Sequence, residues 1–563
     1  MSNGTKTNIL NAGGEKLNYK RTVLVGFAFF LICLFWQVYD TTVPLILTNK
    51  FGMSQTWSGA IMALDNILAL FLLPVFGALS DRTKTKAGKR TPFIMIGTVL
   101  AAVLFIGLSV ADYRQLTKLE SVTPDKYESS LAVIYEADPV ITVPEEATDG
   151  KNFLQAVGAV FSEKEQKRLQ EIFPDENDFL AIEMYERDES GAATGKATDE
   201  YIKYVVPARN AYAWQKTAES PATLVFFVLL LLGVLVSMGI FRSPAVALMP
   251  DVTPKPLRSK ANAVINLMGS FGGIAVLVFG MLFKTGNIEN ALMNYIPFFS
   301  IVSGIMILAL VIFRITVKEP QWALEAAAAD TDDAGNLGKA DTAGSAADAG
   351  DADKSAASSG KLTPAERRSL IFLLASVALW FMGYNAVTSK YSVYASSVLN
   401  MDYNMTLVIA QGAAIVSYIP IGMISTRLGR KKTILIGVAM LFATFFGAAF
   451  LRAGSPVWFM NILFAMAGVA WATINVNSYP MVVEMAGGRS VGKYTGYYYT
   501  ASMAAQVVTP VLSGIFLDIR FTTLFPYAAF FSAVAFVTMI FVKHGDSKPA
   551  ARDRLDYLAG AED

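Results

Sequence analysis

Three ionisable residues stand out inside long apolar stretches of this sequence: Asp40 in FWQVYDTTVP, Asp65 in MALDNILAL and Arg242 in MGIFRSP. In a helix that crosses a bilayer, each such group costs at least about 2.5 kcal/mol, so a functional role is the default expectation. A buried carboxylate can take up and release a proton, which makes Asp65 and Asp40 candidate proton carriers. Alternatively, Asp40 is hydrated near the membrane surface and Asp65 pairs with a polar neighbour. Arg242 either binds substrate or pairs with Asp81 or Asp251.

The apolar stretches also carry amides and aromatic rings, the groups that bind a neutral polyhydroxy molecule. Amides bond to hydroxyl groups, and aromatic faces pack against the C–H faces of a sugar ring. The alternative is helix packing, in which such polar contacts contribute around 0.6 kcal/mol each. No cluster of basic residues accompanies them, which argues against a phosphorylated or carboxylated substrate. The candidate substrate-binding residues are Trp36, Gln37, Asn66, Asn266, Trp380, Tyr384, Asn385, Gln411, Asn477 and Gln506.

Residue patterns for enzymatic chemistry are missing. The single histidine, His544, is near the C-terminus, and the single cysteine, Cys33, lies in an apolar run. The sequence therefore has no Ser-His pair, no zinc-ligand spacing, no intrachain disulfide and no Walker loop. We expect a protein that is not an enzyme, holds no cofactor or metal, and uses an ion gradient with the proton as coupling ion.

The elements that must position these residues are membrane helices. Hydrophobic residues make up 53% of the 563 and charged residues only 17%, below the roughly one quarter that soluble proteins carry. The apolar residues cluster into stretches of about 20, the length of a helix that crosses a bilayer. The sequence predicts twelve spans: 22–47, 56–79, 92–111, 222–242, 261–283, 295–313, 369–391, 404–425, 433–451, 457–479, 494–516 and 522–542.

Basic loops predict the orientation. DRTKTKAGKR, DVTPKPLRSK and TRLGRKK follow spans 2, 4 and 8, so all three lie on one side. The positive-inside rule makes that side cytoplasmic, and twelve spans place both termini there. Residues 1–20 are polar and no cleavage site follows, so no cleavable signal peptide is expected. We expect a multi-pass protein of the plasma (inner) membrane.

Two long polar segments interrupt the spans. Residues 112–220 are acidic and extracytoplasmic; Ser162 and Glu165 have capping-box spacing before a helix, and YIKYVV is β-prone, so we expect a folded α+β domain. Residues 320–364 are rich in Ala, Gly, Asp and Ser and predict a disordered cytoplasmic linker. The remaining parts are an N-terminal bundle (1–111 and 221–319), a C-terminal bundle (365–545) and a cytoplasmic tail (546–563).

The two bundles repeat one another. PVFGALSDR at the end of span 2 matches PIGMISTR at the end of span 8, so that Gly77 to Arg82 corresponds to Gly422 to Arg427. SPAVALMPDV and NSYPMVVEMA correspond loosely at the ends of spans 4 and 10. Two six-helix repeats that flank a linker are typical of transporters with a substrate site between the repeats, near the midplane.

GALSDRTKTKAGKRTPF resembles the cytoplasmic loop motif of the major facilitator superfamily, Gly-x-x-x-Asp-Arg followed by Gly-Arg/Lys-Arg. GKRTPFI, SPAVALMPDVTPKPLRSKANAV and YPMVVEMA resemble its branch of glycoside–cation and sucrose–proton symporters. The resemblance covers both bundles but not the segment 112–220. It implies an all-α membrane fold of twelve helices in two six-helix repeats.

The resemblance also implies a conformational latch. Asp81 would lie near the N-terminus of span 11, around Tyr494, only when the cytoplasmic side is closed, and the helix dipole would favour it by about 0.3–1 kcal/mol. The latch would bias the outward-open state. Thr426 replaces the corresponding acid in the second repeat, which weakens that copy. In the alternative interpretation these charges only set topology. The latch residues are Gly77, Asp81, Arg82, Lys89, Arg90, Arg242, Arg427 and Glu484.

The sequence departs from this branch at its ion sites. The melibiose-type sodium symporters carry two acids in span 2, where this chain has Ala69 and Leu73, so that sodium site is not expected. Plant sucrose symporters carry an Asp and an Arg where Leu235 and Val246 stand. Proton coupling must therefore be relocated or absent.

These observations predict a monomeric symporter that imports a neutral sugar, a disaccharide such as sucrose or maltose, with protons. Its partners would be the sugar and the lipid bilayer, with no nucleic acid. A drug–proton antiporter of the same superfamily is one alternative. A sugar receptor that does not transport, and that signals through the acidic segment, is another. That segment could also bind its own ligand or partner.

Overall fold

The computed structural model describes residues 17–142, 166–254, 257–340, 363–485 and 491–545. Twelve helices within these ranges are long and apolar enough to cross a membrane, which confirms the predicted architecture. Most extend beyond the predicted apolar spans because a helix continues into the interface after its apolar residues end. They are Tyr19–Lys50, Gln55–Arg82, Thr91–Val122, Ala222–Asp251, Lys260–Leu282, Ile296–Thr316, Pro364–Leu399, Tyr403–Ser425, Arg430–Ala448, Val457–Glu484, Tyr494–Ile519 and Phe521–Ile540.

Spans 1, 2 and 7 change helical geometry along their length in ways that bear on the site and the repeat. Span 1 runs as an α-helix over Tyr19–Leu45 and ends in a π-helical turn, and span 7 ends in the same way after Pro364–Tyr394. π-helical turns are rare, so one at the same end of the first helix of each repeat supports the internal repeat. Span 2 is divided at Ala63 into Gln55–Met62 and Leu64–Arg82.

Each half of the bundle has its own hydrophobic core. Phe35 and Phe299 pack on either side of Phe105 in the first half, with ring centroids 5.0 and 5.4 Å from it. Tyr391 packs against Phe464 in the second half, with centroids 4.3 Å apart. Two separate cores allow each half to move as a body against the other.

The acidic segment between spans 3 and 4, which we call the insert (residues 112–220), has a third core built around Leu131, Phe179 and Tyr212. Two antiparallel pairs accompany its helices: β1 (Val140–Thr142) with β2 (Gln166–Arg168), and β3 (Tyr185–Arg187) with β4 (Ala193–Ala197). Within its described residues, 112–142 and 166–220, the α-helices of the insert beyond span 3 are Tyr127–Ala137, Leu169–Ile172, Glu176–Leu180 and Val206–Glu219.

The β-strand expected from YIKYVV is wrong. Residues Tyr201–Val205 form a π-helical turn that leads into the helix Val206–Glu219. Tyr201 and Val205 are both buried, and a helical turn brings residues four apart onto the same face, which here is the core. The expected capping box at Ser162 and Glu165 lies outside the described residues.

The insert touches both halves of the bundle. Its core includes Ile288 and Leu292 from the connection between spans 5 and 6. On the other side, Asn400 Nδ2 in the second half donates to the carbonyl oxygen of Gly195 in the β3–β4 hairpin at 3.3 Å. The membrane face that carries the insert, which we call the insert face, is therefore spanned by a polar domain that contacts both halves.

The predicted linker is helical at its start. Glu319–Ala340 is a helix, and its Trp322 is buried against the first half with the Arg21 guanidinium 5.3 Å from the ring centroid. Glu325 also accepts a hydrogen bond from Arg21. The expected disorder is therefore wrong for residues 320–340, which form a helix whose first turns are anchored by the buried Trp322 ring. The remainder of that expectation, residues 341–362, lies outside the described residues.

Glu319 fixes this helix to the start of span 3. Its carboxylate, 2% exposed, accepts from the backbone N–H groups of Lys89, Arg90 and Thr91 at 2.7 to 2.8 Å and from the Thr91 hydroxyl at 2.7 Å. The first N–H groups of a helix have no partner within the helix, and a carboxylate there is also favoured by the helix dipole. Gly88, at φ 113°, has no side chain that would collide with this carboxylate.

We predict that Glu319→Gln lowers the free energy of unfolding by about 1–3 kcal/mol, since charge-assisted hydrogen bonds to a buried helix end are lost. Thermal unfolding of the purified protein would show this as a lower Tm. Glu325→Gln is the matched control, because Glu325 is exposed and its pair with Arg21 contributes little. Equal Tm values for both variants would contradict the role given to Glu319.

Candidate functional site

A cavity of about 230 Å³ lies between the two halves. Both halves supply polar side chains to it, as expected for a site between repeats. From the first half it is lined by Trp36, Asp40, Met62, Asp65, Asn66 and Arg242, and from the second by Asn385, Thr388, Ser389, Gln506 and Pro510. Seven of the predicted site residues are therefore brought together here.

Spans 1 and 2 position the two acids. Trp36 and Asp40 are four residues apart on span 1 and so share a face. Asp65 and Asn66 follow the break in span 2 at Ala63 and stand in the first turn of Leu64–Arg82. Asn66 Nδ2 donates to Asp65 Oδ1 at 2.7 Å. Asn66 is therefore the polar neighbour with which Asp65 pairs in the alternative interpretation of the sequence.

Arg242 belongs to this cavity and not to the cytoplasmic latch. Its guanidinium lies 5.3 Å from the centroid of the Trp36 ring, at cation–π distance, and it interacts electrostatically with Asp65. The expected pairing with Asp81 or Asp251 is wrong. Asp251 is nine residues further along the same helix, about 13 Å away along its axis.

Three further predicted residues lie beside the cavity. Gln411 Nε2 donates to Gln37 Oε1 at 2.6 Å and so joins spans 8 and 1 across the two halves. Tyr384 stacks on Trp471 with ring centroids 3.6 Å apart and planes nearly parallel, and it interacts electrostatically with Asp40.

The remaining predicted ligands do not line the cavity. Trp380 is fully buried in the core of the second half. Asn477 is buried between spans 8 and 10, where Ser425 Oγ donates to Asn477 Oδ1 and Asn477 Nδ2 donates to the Thr473 carbonyl oxygen at 3.0 Å. Asn266 is buried in span 5. For Trp380 and Asn477, the structure thus agrees with the alternative interpretation, in which these side chains serve helix packing.

Sequence reasoning missed Thr388, Ser389 and two buried lysines. Thr388 and Ser389 follow Asn385 by about one turn, so extending that polar stripe would have found them. Lys390 lies within predicted span 369–391, and the rule applied to Asp65 should have selected it. Lys50 pairs with Asp112 at 2.6 Å, and both side chains are fully buried. Lys50 lies just outside predicted span 22–47, so the rule for charges inside a span does not select it.

The latch residues form charge clusters on the opposite membrane face, which we call the basic face (loops 83–90, 252–257 and 429–432). Arg90 binds Asp81, Ser80 and, at 2.8 Å, Asp251. Lys89 lies 3.1 Å from Asp251. In the second repeat Arg430 binds Glu484 in the corresponding way, from the start of span 9 to the end of span 10.

All these basic-face bonds stay within one half. Asp81 binds Arg90, and within the part of the chain that the structure describes it makes no hydrogen bond or ion pair with Tyr494. Arg82 and Arg427 are exposed. Gly77 allows span 4 to approach, since a Cβ there would lie 2.9 Å from Ser243 Oγ. The latch between the two halves therefore remains a prediction, and it concerns the conformation in which the cytoplasmic side is closed.

The fold and the central cavity define a twelve-helix membrane transporter of two six-helix halves. The family model described as Major Facilitator Superfamily matches residues 212–461 and 404–556, together more than half of the chain. A second model, described as MFS/sugar transport protein, matches residues 24–112. The chain belongs to the major facilitator superfamily.

Solved structures show the same fold. The inward-open xylose transporter XylE from E. coli is 13% identical, with a TM-score of 0.51 over 93% of this chain and 95% of that chain. The peptide transporter POT in complex with alafosfalin is 11% identical, with a TM-score of 0.52 over 93% of each chain. A search of curated proteins returned no significant match.

We predict that Arg242 and Asp65 are energetically coupled. Arg242→Gln should lower the free energy of unfolding by about 1–3 kcal/mol, because it leaves a carboxylate in the cavity without its cation. Asp65→Asn in the same chain should recover part of that loss, as contacting charges do in a double-mutant cycle. Thermal or denaturant unfolding of the four proteins measures the coupling. Arg427→Gln, at an exposed arginine, is the control, and strictly additive effects would contradict the coupling.

Proposed function

We propose that this major facilitator protein imports a neutral sugar, a disaccharide such as sucrose or maltose, by proton symport through alternating access. The observation that carries the proposal is the central cavity, in which Asp40 and Asp65 face amides, hydroxyls and Trp36 from both halves. The resemblance of the loop motifs to the glycoside–cation and sucrose–proton branch supports the substrate class.

Unpartnered donors support a hydroxyl-rich ligand. Trp36 Nε1 and Asn385 Nδ2 are buried, and neither has a hydrogen-bond partner among the described residues. Burying a donor without an acceptor is unfavourable by about 1–3 kcal/mol. The two donors come from opposite halves and both residues line the cavity, so one ligand with several hydroxyl oxygens could accept from both once the two side chains turn towards it.

Charge counting supports coupling to one proton. Asp40 and Asp65 interact electrostatically with each other, and Arg242 is the cation beside them. With both acids ionised the three groups carry one excess negative charge. A single proton neutralises them, and a neutral site passes more easily through an occluded state in a membrane protein. Because the two acids interact, that proton belongs to the pair.

A zwitterionic substrate such as a short peptide is the second candidate. Arg242 could bind a carboxylate, while Asp40 could bind an amine. The observation that favours it is the arginine in the cavity, where it could bind substrate, the first of the two roles that the sequence left open. The POT structure is a peptide transporter of the same fold.

We also propose that the protein is a monomer in the plasma (inner) membrane, with the basic face and both termini cytoplasmic.

The test is uptake into proteoliposomes of sucrose, maltose, xylose and a dipeptide, each under an imposed proton or sodium gradient. We expect a disaccharide to accumulate with the proton gradient. Asp65→Asn or Asp40→Asn should abolish that accumulation but retain exchange of labelled for unlabelled sugar, because exchange needs no net proton movement. Asp188→Asn, on the exposed β3–β4 turn, is the control and should accumulate sugar normally.

Three results would contradict the proposal. If a sodium gradient alone accelerates sugar uptake, the assignment of the proton as coupling ion is wrong. The argument that Ala69 and Leu73 exclude a sodium site would then be wrong as well. Accumulation of the dipeptide but not of any sugar would favour the second candidate. Binding without accumulation under either gradient would favour the receptor.

A further inference from the structure

A carboxylate of the second half caps a helix of the first half at the insert face. Asp518, near the end of span 11, accepts from the backbone N–H of Gln55 at 2.7 Å and of Thr56 at 2.8 Å, and also from the Thr56 hydroxyl. Gln55 and Thr56 are the first residues of span 2, so Asp518 satisfies donors that the helix itself cannot and complements its dipole. Ser54 caps the next N–H, that of Trp57.

Lys390 of span 7 binds the same helix start. Its Nζ donates to the Gln55 carbonyl oxygen at 2.7 Å and lies 3.4 Å from Gln55 Oε1. The side chain is fully buried and interacts electrostatically with Asp518. Ser389, its neighbour in the chain, lines the central cavity. Gln55 is therefore held from one side by an anion and from the other by a cation, both from the second half.

Two glycines let the backbones of spans 2 and 11 meet at this point. A Cβ on Gly59 would lie 1.9 Å from the Pro510 carbonyl oxygen, and a Cβ on Gly514 would lie 2.3 Å from the Gln55 carbonyl oxygen. Small residues at helix contacts in membranes allow this approach. The Gln55 oxygen that would meet the Gly514 Cβ is the one that accepts from Lys390, so packing and hydrogen bonding depend on the same atom.

We propose that Asp518, Lys390 and the Gly59/Gly514 contact form a lock that holds the insert face closed and that must open whenever the cavity is reached from that face. Each bond of the lock joins residue 55, 56 or 59 of the first half to span 7 or 11 of the second half. A rocking motion of the halves breaks all of them together, whereas the Arg90 and Arg430 clusters on the basic face stay intact. The proposal does not depend on which substrate is carried.

Thiol labelling at Ser58 tests the lock. Ser58 lies on span 2 between the lock residues, is fully buried, and can be replaced as Ser58→Cys in a Cys33→Ala background, since Cys33 is the only native cysteine. The purified chain in nanodiscs is treated with a charged methanethiosulfonate, which then has access to both faces. Asp518→Asn and Lys390→Met should each raise the labelling rate by about tenfold or more, because charge-assisted bonds across the halves are lost.

A second pair of variants separates the lock from general loosening of the bundle. Gly514→Ala should also accelerate labelling, since its methyl group prevents the close approach without changing any charge. Gly412→Ala is the matched control, because a Cβ at Gly412, also in a membrane helix, meets nothing within 4 Å. All labelling is done well below the Tm of each variant.

The lock predicts fast labelling in Asp518→Asn and Gly514→Ala and the parental rate in Gly412→Ala. Parental rates in Asp518→Asn and Gly514→Ala would overturn the proposal. So would equal acceleration in Gly412→Ala, because Ser58 would then be exposed by loosening of the helices and not by opening of this contact.

Discussion

A charge inside a bundle of membrane helices has to be compensated by another group of the protein, and this constraint organises the whole structure. Lys50 binds Asp112, Glu319 binds the first N–H groups of span 3, and Lys390 binds a carbonyl oxygen of span 2. Since the compensating group must be close, each buried charge fixes the position of at least two elements.

The compensated charges fall into two groups: those that bond within one half of the bundle and those that bond across the two halves. Lys50 with Asp112, and Arg90 with Asp251, lie within the first half and make it rigid. Among the described residues, Asp518 and Lys390 of the second half bond to residues 55 and 56 of the first, whereas the three charges of the cavity all belong to the first half and face the second. Interactions that must be broken in a transport cycle are thus separated from interactions that preserve each half, as rigid-body motion requires.

The repeat extends to details that hydropathy does not report. Spans 1 and 7 both end in a π-helical turn, and in each half an arginine at the start of the third span binds an acid at the end of the fourth, Arg90 with Asp251 and Arg430 with Glu484. The insert and the helix Glu319–Ala340 have no counterpart among the described residues of the second half. They therefore break the symmetry on opposite faces of the membrane.

The sequence by itself determined the twelve spans, the internal repeat, the superfamily and the two acids of the cavity, because hydropathy and charge report how each segment partitions into a bilayer. Only the tertiary structure decided that Arg242 faces Asp65, that Trp380 and Asn477 pack inside the second half, and that residues 319–340 form a helix. Those outcomes depend on how each helix is rotated about its axis and on which neighbours it meets. In a helix that is apolar on every side, no sequence periodicity specifies that rotation.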